Sequence, residues 1–551
     1  MSPQKTVTSD GSRRARVWVG RVSDYDVGAV REAVSRGLQF VAPMLRGNVV
    51  AKANWLVSHP RLATASTTRP ELAAGALEAL FARQRELRVV FSGSAALGHS
   101  ARHQALRARG KDSRFKKGYL SLERMFRGKV TVRPTDESRF YRYQLSVGRR
   151  MNNEQRRALG PELDDEIRYW DRVVAGYELY HADSVLLLPK LKTSVLANGL
   201  SGAVDLQGVG FLRGLDRADG HNRHNARRMV DMLEITDPDL VITDAIELGL
   251  GGSTMTQSGH RLGLVVVADN AVAHDAVCSR LLDLDPEANE QLRLANSRGF
   301  GPIDPKLIDL GGDADRELSR KRIRGFGSSG LRRVDEFGES FASYCGTSFP
   351  FEVLCDGFYE SAGDPGVFLD WLYTSFDHPR FRERMKWWPE CSVLIGKVAQ
   401  RPRHARVYLI GDRAIESFRD MTDFMQPALM LPLSARRHLP SSLGLYRYRL
   451  KGGGRGWVTS VSGDPPSRQA ISWAFFLGSI GRVRAPLLGA LAMPMEAFYQ
   501  VVAAVLRHRR NRRGLRVVHA RKIERMLNRP WRLKVGLPAA LSPRTGKERG
   551  P

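Results

Sequence analysis

Three features of the 551-residue chain predict an α/β protein: a mostly parallel sheet flanked by helices, then a smaller α+β unit and a basic helical tail. Strand and helix patterns alternate over residues 16–91. Ser184–Leu188, Leu240–Thr243 and Leu262–Val267 are nearly continuous apolar runs, which is how strands covered on both faces of a parallel sheet read. The length exceeds what one hydrophobic core usually serves, and 42% apolar residues are enough for full cores, so disorder is expected only locally.

The elements follow in order. Arg16–Arg21 alternates as a strand, and Val27–Leu45 places Val30, Val34, Leu38 and Val41 on one helical stripe. Asn48–Val57 is a second strand, Pro70 opens a helix through Arg85 at a position proline favours, and Leu87–Phe91 is a third strand. Ser92–Gly98 (SGSAALG) leads into a helix-competent segment, after which the Arg-, Lys- and Gly-rich stretch 102–129 reads as a basic insertion or loop. Glu162–Tyr180 and Asn270–Leu282 read as helices, and Ile308–Leu310 as a short strand before the charged run Asp313–Arg324. Arg406–Ile410 is a strand followed by a helix after Asp412, and Lys451–Gly456 (KGGGRG) is a flexible turn. The expected organisation is a leader over 1–15, an α/β domain over 16–315, a linker over 316–333, a second unit over 334–470 and a tail over 471–551.

Charge is the strongest compositional signal. The formal net charge is +28, and from Arg507 onward 15 lysines and arginines face only Glu524 and Glu548. A concentration of that kind attracts polyanions, anionic lipid or acidic ligands, although a solvated basic helix with a free end fits equally well. Ala485–Leu506 is long enough to span a bilayer. Pro486, Pro494, Glu496 and Gln500 interrupt it, which favours a core or interfacial helix over a span. The first sixteen residues lack the apolar core of a secretory signal, and four scattered cysteines suit a reducing compartment. A cytoplasmic protein, with the inner membrane face as a peripheral site, is therefore expected.

Several segments could carry chemistry. Ala182–Thr193 (ADSVLLLPKLKT) ends a buried strand in a proline and two lysines, and ligands of open α/β sheets bind beyond the carboxyl ends of strands. Lys190 and Lys192 are thus anion-binding candidates, the alternative being an ordinary solvated loop. Lys52 and Asn54 share one face of a strand, and Asp244 ends another. The amides around Ser92 and Gly93 follow a strand and could cradle an anion, although a tight strand-helix turn explains them as well. His221 and His224 stand three apart, but without a third partner a polar surface pair fits better than a metal site. Gly325–Gly330 matches G-x-G-x-x-G, yet Arg320–Arg324 precedes it instead of an apolar strand, so it reads as a linker. Asp269 and Asp275 flank a helix start, where Asp269 could be the cap.

Six of these segments, in register from Lys52 to Asp275, resemble the family catalogued as the domain of unknown function numbered 362. They are Lys52-Ala-Asn54, Thr67-Thr-Arg-Pro70, Leu188-Pro-Lys-Leu-Lys-Thr193, Leu200-Ser-Gly-Ala203, Asp239–Asp244 and Ala268–Asp275. The resemblance implies an α/β sheet protein and, because some relatives carry an iron-sulfur segment, redox chemistry. Arg69, Ser194 and Asp205-Leu206 stand where relatives usually have histidine, histidine and lysine-asparagine. Cys278, Cys345, Cys355 and Cys391 lack the spacing of a four-thiolate cluster, so the cofactor stays open. Two readings follow. The first is an oxidoreductase or accessory redox enzyme with an anion or cofactor site: Lys52, Asn54, Lys190, Lys192, Ser92 and Gly93 bind, and Asp244, His221 and Asp275 carry the chemistry. The second is a non-catalytic binding protein whose tail meets an anionic membrane surface or, less well supported, nucleic acid.

Overall fold

The computed structural model describes residues 14–145, 170–213, 225–250, 257–320, 341–345, 390–462 and 498–519, less positions 44, 56–57, 59–62, 96–99, 171, 195–198, 396, 435–440 and 500. The chain opens with β1 (Ala15–Arg21), α1 (Val27–Val41), β2 (Asn48–Ala53), α2 (Pro70–Arg83) and β3 (Arg88–Phe91). Asp26 starts α1 by accepting from the Ala29 amide, and Pro70 occupies the first turn of α2, where its missing N–H costs nothing.

After β3 come α3 (Ala101–Arg107), α4 (Leu120–Met125) and β4 (Val130–Val132), which joins β3 in parallel. This corrects the reading of 102–129 as an insertion or loop. Phe115, Tyr119 and Leu122 are fully buried, so the basic segment is the crossover that two parallel neighbours require. Arg109, Arg114, Arg124 and Arg127 are exposed, while Phe115 and Tyr119 fill the core. Next come β5 (Phe140–Gln144), β6 (Arg172–Gly176) and α5 (Tyr177–His181). Arg172–Gly176 is therefore a strand rather than part of the expected 162–180 helix. Its pairing with β5 outweighs helical spacing.

The main sheet is completed by β7 (Ser184–Leu188), β8 (Lys190–Ser194), β9 (Gly199–Ser201), β10 (Leu240–Leu250), β11 (Ser258–Ala268) and β12 (Ile308–Gly312). Between them lie α6 (Ala203–Gly210), α7 (Asn225–Thr236), α8 (Ala271–Leu281) and α9 (Glu290–Ser297), with α10 (Ala314–Leu318) after β12. The path across the sheet is β12-β1-β11-β10-β7-β2-β3-β4, with β8 pairing β10 and β9. Along that path the strands are parallel except β11, which runs against both β1 and β10. The apolar runs at 240–243 and 262–267 are thus antiparallel neighbours, not the parallel ones expected. Only residues 251–257 separate the two strands, too few for a parallel crossover.

Side chains alternate across this sheet. Val50, Val185, Val241 and Val266 join α6, α7 and α8 in one core, while Ala51, Leu186, Ile242 and Val267 join α1 and α2 in the other. The five strands β10-β7-β2-β3-β4 run outward in both directions from β2: β3 and β4 follow on one side, and the chain then returns to place β7 and β10 on the other. That reversal puts a topological switch point between β2 and β7, where the crevice of an open α/β sheet takes its ligands.

A second sheet consists of β13 (Phe341–Cys345), β14 (Cys391–Ile395), β15 (Arg406–Ile410), β16 (Thr422–Ser434), β17 (Ser441–Leu450) and β18 (Arg455–Val461), with α11 (Asp412–Asp420) against it. Its order is β13-β14-β15-β18-β17-β16; the first four strands are parallel and the last two antiparallel hairpin partners. Gly452, Gly453 and Gly454 all take positive φ in the β17-β18 turn, which explains the KGGGRG sequence. The tail corrects the expectation of a purely helical end. Residues 501–510 are helical, but β19 (Arg516–His519) pairs in parallel with β5 and buries Val518 in the core of the main sheet.

Candidate functional site

The carboxyl ends of β2 and β7 are joined by the turn Thr67-Thr-Arg-Pro70. Thr68 Oγ1 donates to the Leu188 carbonyl at 2.8 Å and accepts from the Asn54 amide at 3.1 Å. Asn54 Oδ1 accepts from the Lys190 amide at 2.8 Å. One threonine hydroxyl and one asparagine thus hold both sides of the switch point, and Pro70 starts α2 directly behind them.

Asp244 lies at the centre of the α1/α2 side and is fully buried. Its Oδ1 accepts from the Tyr25 hydroxyl at 2.8 Å and from Lys190 Nζ at 3.1 Å, and its Oδ2 accepts from the Arg69 amide at 3.1 Å. Lys190 Nζ also donates to the Tyr25 hydroxyl at 2.8 Å. Burial pushes the Lys190 ammonium below its ordinary range against the opposing pull of Asp244, and burial together with Asp244 pushes Tyr25 well above its own. The Arg69 guanidinium packs over the Tyr25 ring at 5.0 Å and approaches Glu247 at 3.5 Å. Lys190 therefore already has a buried carboxylate for its charge, unlike the free anion-binding lysine that its place after a strand suggests.

Lys52 is equally buried, but the alternation of β2 sends it to the other face. Its Nζ donates to the Ser94 carbonyl at 3.1 Å and lies 5.0 Å from the Trp55 ring. Gly93 makes that packing possible: a Cβ there would collide with Lys52 Cδ and Nζ. Ser92 Oγ lies 3.3 Å from Thr135 Oγ1. Gly93 and the Ser94 carbonyl thus bound the Lys52 side chain, and residues 96–99 of the SGSAALG segment lie outside the described residues. Lys192 is buried in β8, opposite Ser201 of β9 and Gly249 of β10.

Asp275 joins a different group, on the α6/α8 side. Its Oδ1 and Oδ2 accept from the Ala203 and Val204 amides at 2.7 and 2.9 Å, capping α6, and Gly202 has no Cβ because Asp275 occupies that space. His274, fully buried, completes the arrangement: Nδ1 lies 2.6 Å from Asp275 Oδ1 and Nε2 2.6 Å from Thr243 Oγ1. Burial opposes a charged ring, but Cys278, with Sγ 3.5 Å away, and Asp275 outweigh it and raise His274 to about 10. α8 is capped by Asn270, whose Oδ1 accepts from the Val272 and Ala273 amides, not by Asp269. Asp269 accepts instead from the Arg16 amide at 2.8 Å and ties β1 to the end of β11.

The expected site residues therefore divide. Asn54, Lys190 and Asp244 come together; Lys52 enters the same edge from the opposite face; Asp275 braces α6. His221, His224 and Gly325–Gly330 lie outside the described residues. Thr68 and His274 lie inside two of the six segments without a role of their own in the sequence, and Tyr25 lies outside all six. Tyr25 sits just before a helix cap with nothing to mark it, and His274 is one imidazole in an apolar helix. Among the cysteines, Cys278 in α8 and Cys391 in β14 are buried, far apart in the fold and not joined by a disulfide, and Cys355 lies outside the described residues.

Residues 153–280 match the family model described as Domain of unknown function (DUF362). That segment of the chain is therefore similar to the family. Four of the six segments, from Leu188–Thr193 to Ala268–Asp275, fall inside the DUF362 match, and Lys52–Asn54 and Thr67–Pro70 precede it. No curated protein matches the chain. Among solved structures it is similar to the lactate racemase apoprotein of Thermoanaerobacterium thermosaccharolyticum, at 11% identity and a TM-score of 0.29 over 51% of this chain and 59% of that one. A Thermotoga maritima protein is similar at 9% identity and a TM-score of 0.25, over 49% and 59%. The chain thus spans less than two thirds of either.

Proposed function

We propose that the protein binds a small anionic ligand, a cofactor or metabolite bearing phosphate or carboxylate, in the crevice over the carboxyl ends of β2, β7 and β10. The observation that carries this reading is the cluster of Asp244, Lys190, Tyr25 and Arg69 beside the switch point, where the fold leaves a crevice and where a structural role alone does not call for four polar groups. Lys190 and Asp244 are a proton-exchanging pair in this reading, because burial brings the lysine closer to neutrality. The reaction served is open to redox or other anabolic chemistry. Native mass spectrometry with absorption spectra of the purified protein tests it. A co-purifying anionic ligand that is lost from the Asp244→Asn protein supports the crevice, and an equal load in wild type and variant contradicts it.

A second reading, peripheral association with an anionic membrane, is favoured by one observation. Phe498, Val501 and Val505 are exposed at helical spacing, followed by Arg509, Arg512 and Arg513. No helix among the described residues is long and apolar enough to cross a membrane. The tail is fastened to the start of β5 by Asn511, which donates to the Ser138 carbonyl and accepts from the Phe140 amide, so it is best tested without truncation. Val501→Asp with Val505→Asp abolishes flotation with anionic vesicles in this reading, and undiminished flotation contradicts it.

A further inference from the structure

A small recess, partly open to solvent, lies next to Arg69 on the carboxyl edge. Ser58, Thr67, Arg69, Arg107 and Arg109 are among the residues that line it. Ser58, Thr67 and Arg69 are each more than nine-tenths buried, yet Ser58 Oγ, Thr67 Oγ1 and Arg69 Nε have no hydrogen-bond partner. Buried polar atoms are almost always paired, because leaving one unpaired forfeits its hydration without return. Three in one recess, every one able to donate, call for a common acceptor.

The charge around the recess points to the same acceptor. Three arginines line it. Of the carboxylates nearby, Glu247 meets the Nη2 end of Arg69, and Glu71 Oε1 accepts from the Lys111 and Asp112 amides. Arg107 and Arg109 come from the basic crossover between β3 and β4, so the charge that looks like a solvated loop in the sequence is brought to the ligand edge by the fold. Arg69 links this recess to the cluster behind it: its amide donates to Asp244 while its side chain lines the recess and its buried Nε has no partner.

We infer that the recess is a subsite for a tetrahedral oxyanion, the phosphate group of a phosphorylated ligand. Ser58 Oγ, Thr67 Oγ1 and Arg69 Nε donate to its oxygens, and Arg107 and Arg109 neutralise its charge. A phosphate dianion offers more acceptor sites than a carboxylate and twice its charge, enough for the three unpartnered donors and the two further arginines at once. The inference rests on the reading of the carboxyl edge as the ligand site and names the chemistry of one end of that ligand.

Isothermal titration of the full-length protein with inorganic phosphate, and with acetate as the planar control, tests it. Phosphate is expected to bind saturably and acetate not. Ser58→Ala with Thr67→Val is expected to weaken phosphate binding by about tenfold or more, the loss of two hydrogen bonds to a charged group. Arg109 is exposed, so Arg109→Ala leaves the fold intact and is expected to weaken binding and flatten its salt dependence. No saturable binding at about 10 mM phosphate, equal binding of acetate, or wild-type affinity in these variants overturns the subsite. Phosphate binding that is lost in these variants but kept in Asp244→Asn separates the two proposals. It upholds the recess even where the Asp244 crevice is found to hold no co-purified ligand.

Discussion

Thr243 and Asp244 are neighbours in β10 that point to opposite faces of one sheet, and the polar groups around them have opposite characters. On the Thr243 side, hydroxyl, imidazole and carboxylate form a closed set: both His274 nitrogens are engaged, and Asp275 ends on the first amides of α6. On the Asp244 side, contacts pass through Tyr25 and Lys190 to Arg69 and stop there, in a recess with three unpartnered donors. Burial is equal on the two sides, so burial does not separate bracing from binding. Completeness of hydrogen bonding does.

The largest effect should come from breaking the fully buried Lys190–Asp244 pair. Lys190→Met leaves Asp244 buried without its counter-ion and is expected to destabilise the fold by about 3–5 kcal/mol in urea titration. Adding Asp244→Leu should recover much of that loss, since replacing both ions is far less costly than removing one. Recovery would make the pair replaceable for folding and leave function as its reason to persist.

His274→Gln tests the closed side and should cost about 1.5–3 kcal/mol, the value of hydrogen bonds to a charged group. Its pH dependence has a definite sign. The folded-state value of about 10 lies above the ordinary 6.5, so the imidazolium's stabilisation is complete below pH 6.5 and disappears as pH rises to 10. The stability gap between wild type and His274→Gln should therefore narrow over that interval. A gap independent of pH would mean that the ring is neutral in the native state.

A smaller loss, about 1 kcal/mol or a little more, is expected for Gly202→Ala, whose methyl group would take the place of the Asp275 carboxylate and loosen the α6 cap. The smallest effect belongs to the open side. Ser58→Ala with Thr67→Val removes two buried hydroxyls that have no partner, so stability should stay within about 1 kcal/mol of wild type or rise.

How far the sequence anticipates these two sides follows from what each signal measures. Apolar runs and helix-start residues report local structure, and β1, α1, β2, α2, β3 and β7 lie where those signals put them. Pairing direction is not local: the buried runs of β10 and β11 read as parallel strands, and only the short 251–257 connection marks them as a hairpin. The carboxyl-edge rule brought Asn54, Lys190 and Asp244 to attention, because a polar residue ending an apolar run is visible in one dimension. It did not show that Lys190 already has a carboxylate partner, nor that strand alternation sends Lys52 to the opposite face from Asp244. The roles of Tyr25, Thr68 and His274 are not legible in the sequence, because each is ordinary in its own segment and acquires meaning only through partners far along the chain.

Thermal melting in the presence and absence of inorganic phosphate, on wild type, Ser58→Ala with Thr67→Val, and His274→Gln, tests most directly whether one side of β10 binds while the other braces. The account predicts that phosphate raises the melting temperature of wild type and of His274→Gln alike, the latter from a lower starting point, and leaves the hydroxyl variant unmoved. A phosphate response kept in the hydroxyl variant, or lost in His274→Gln, would contradict it.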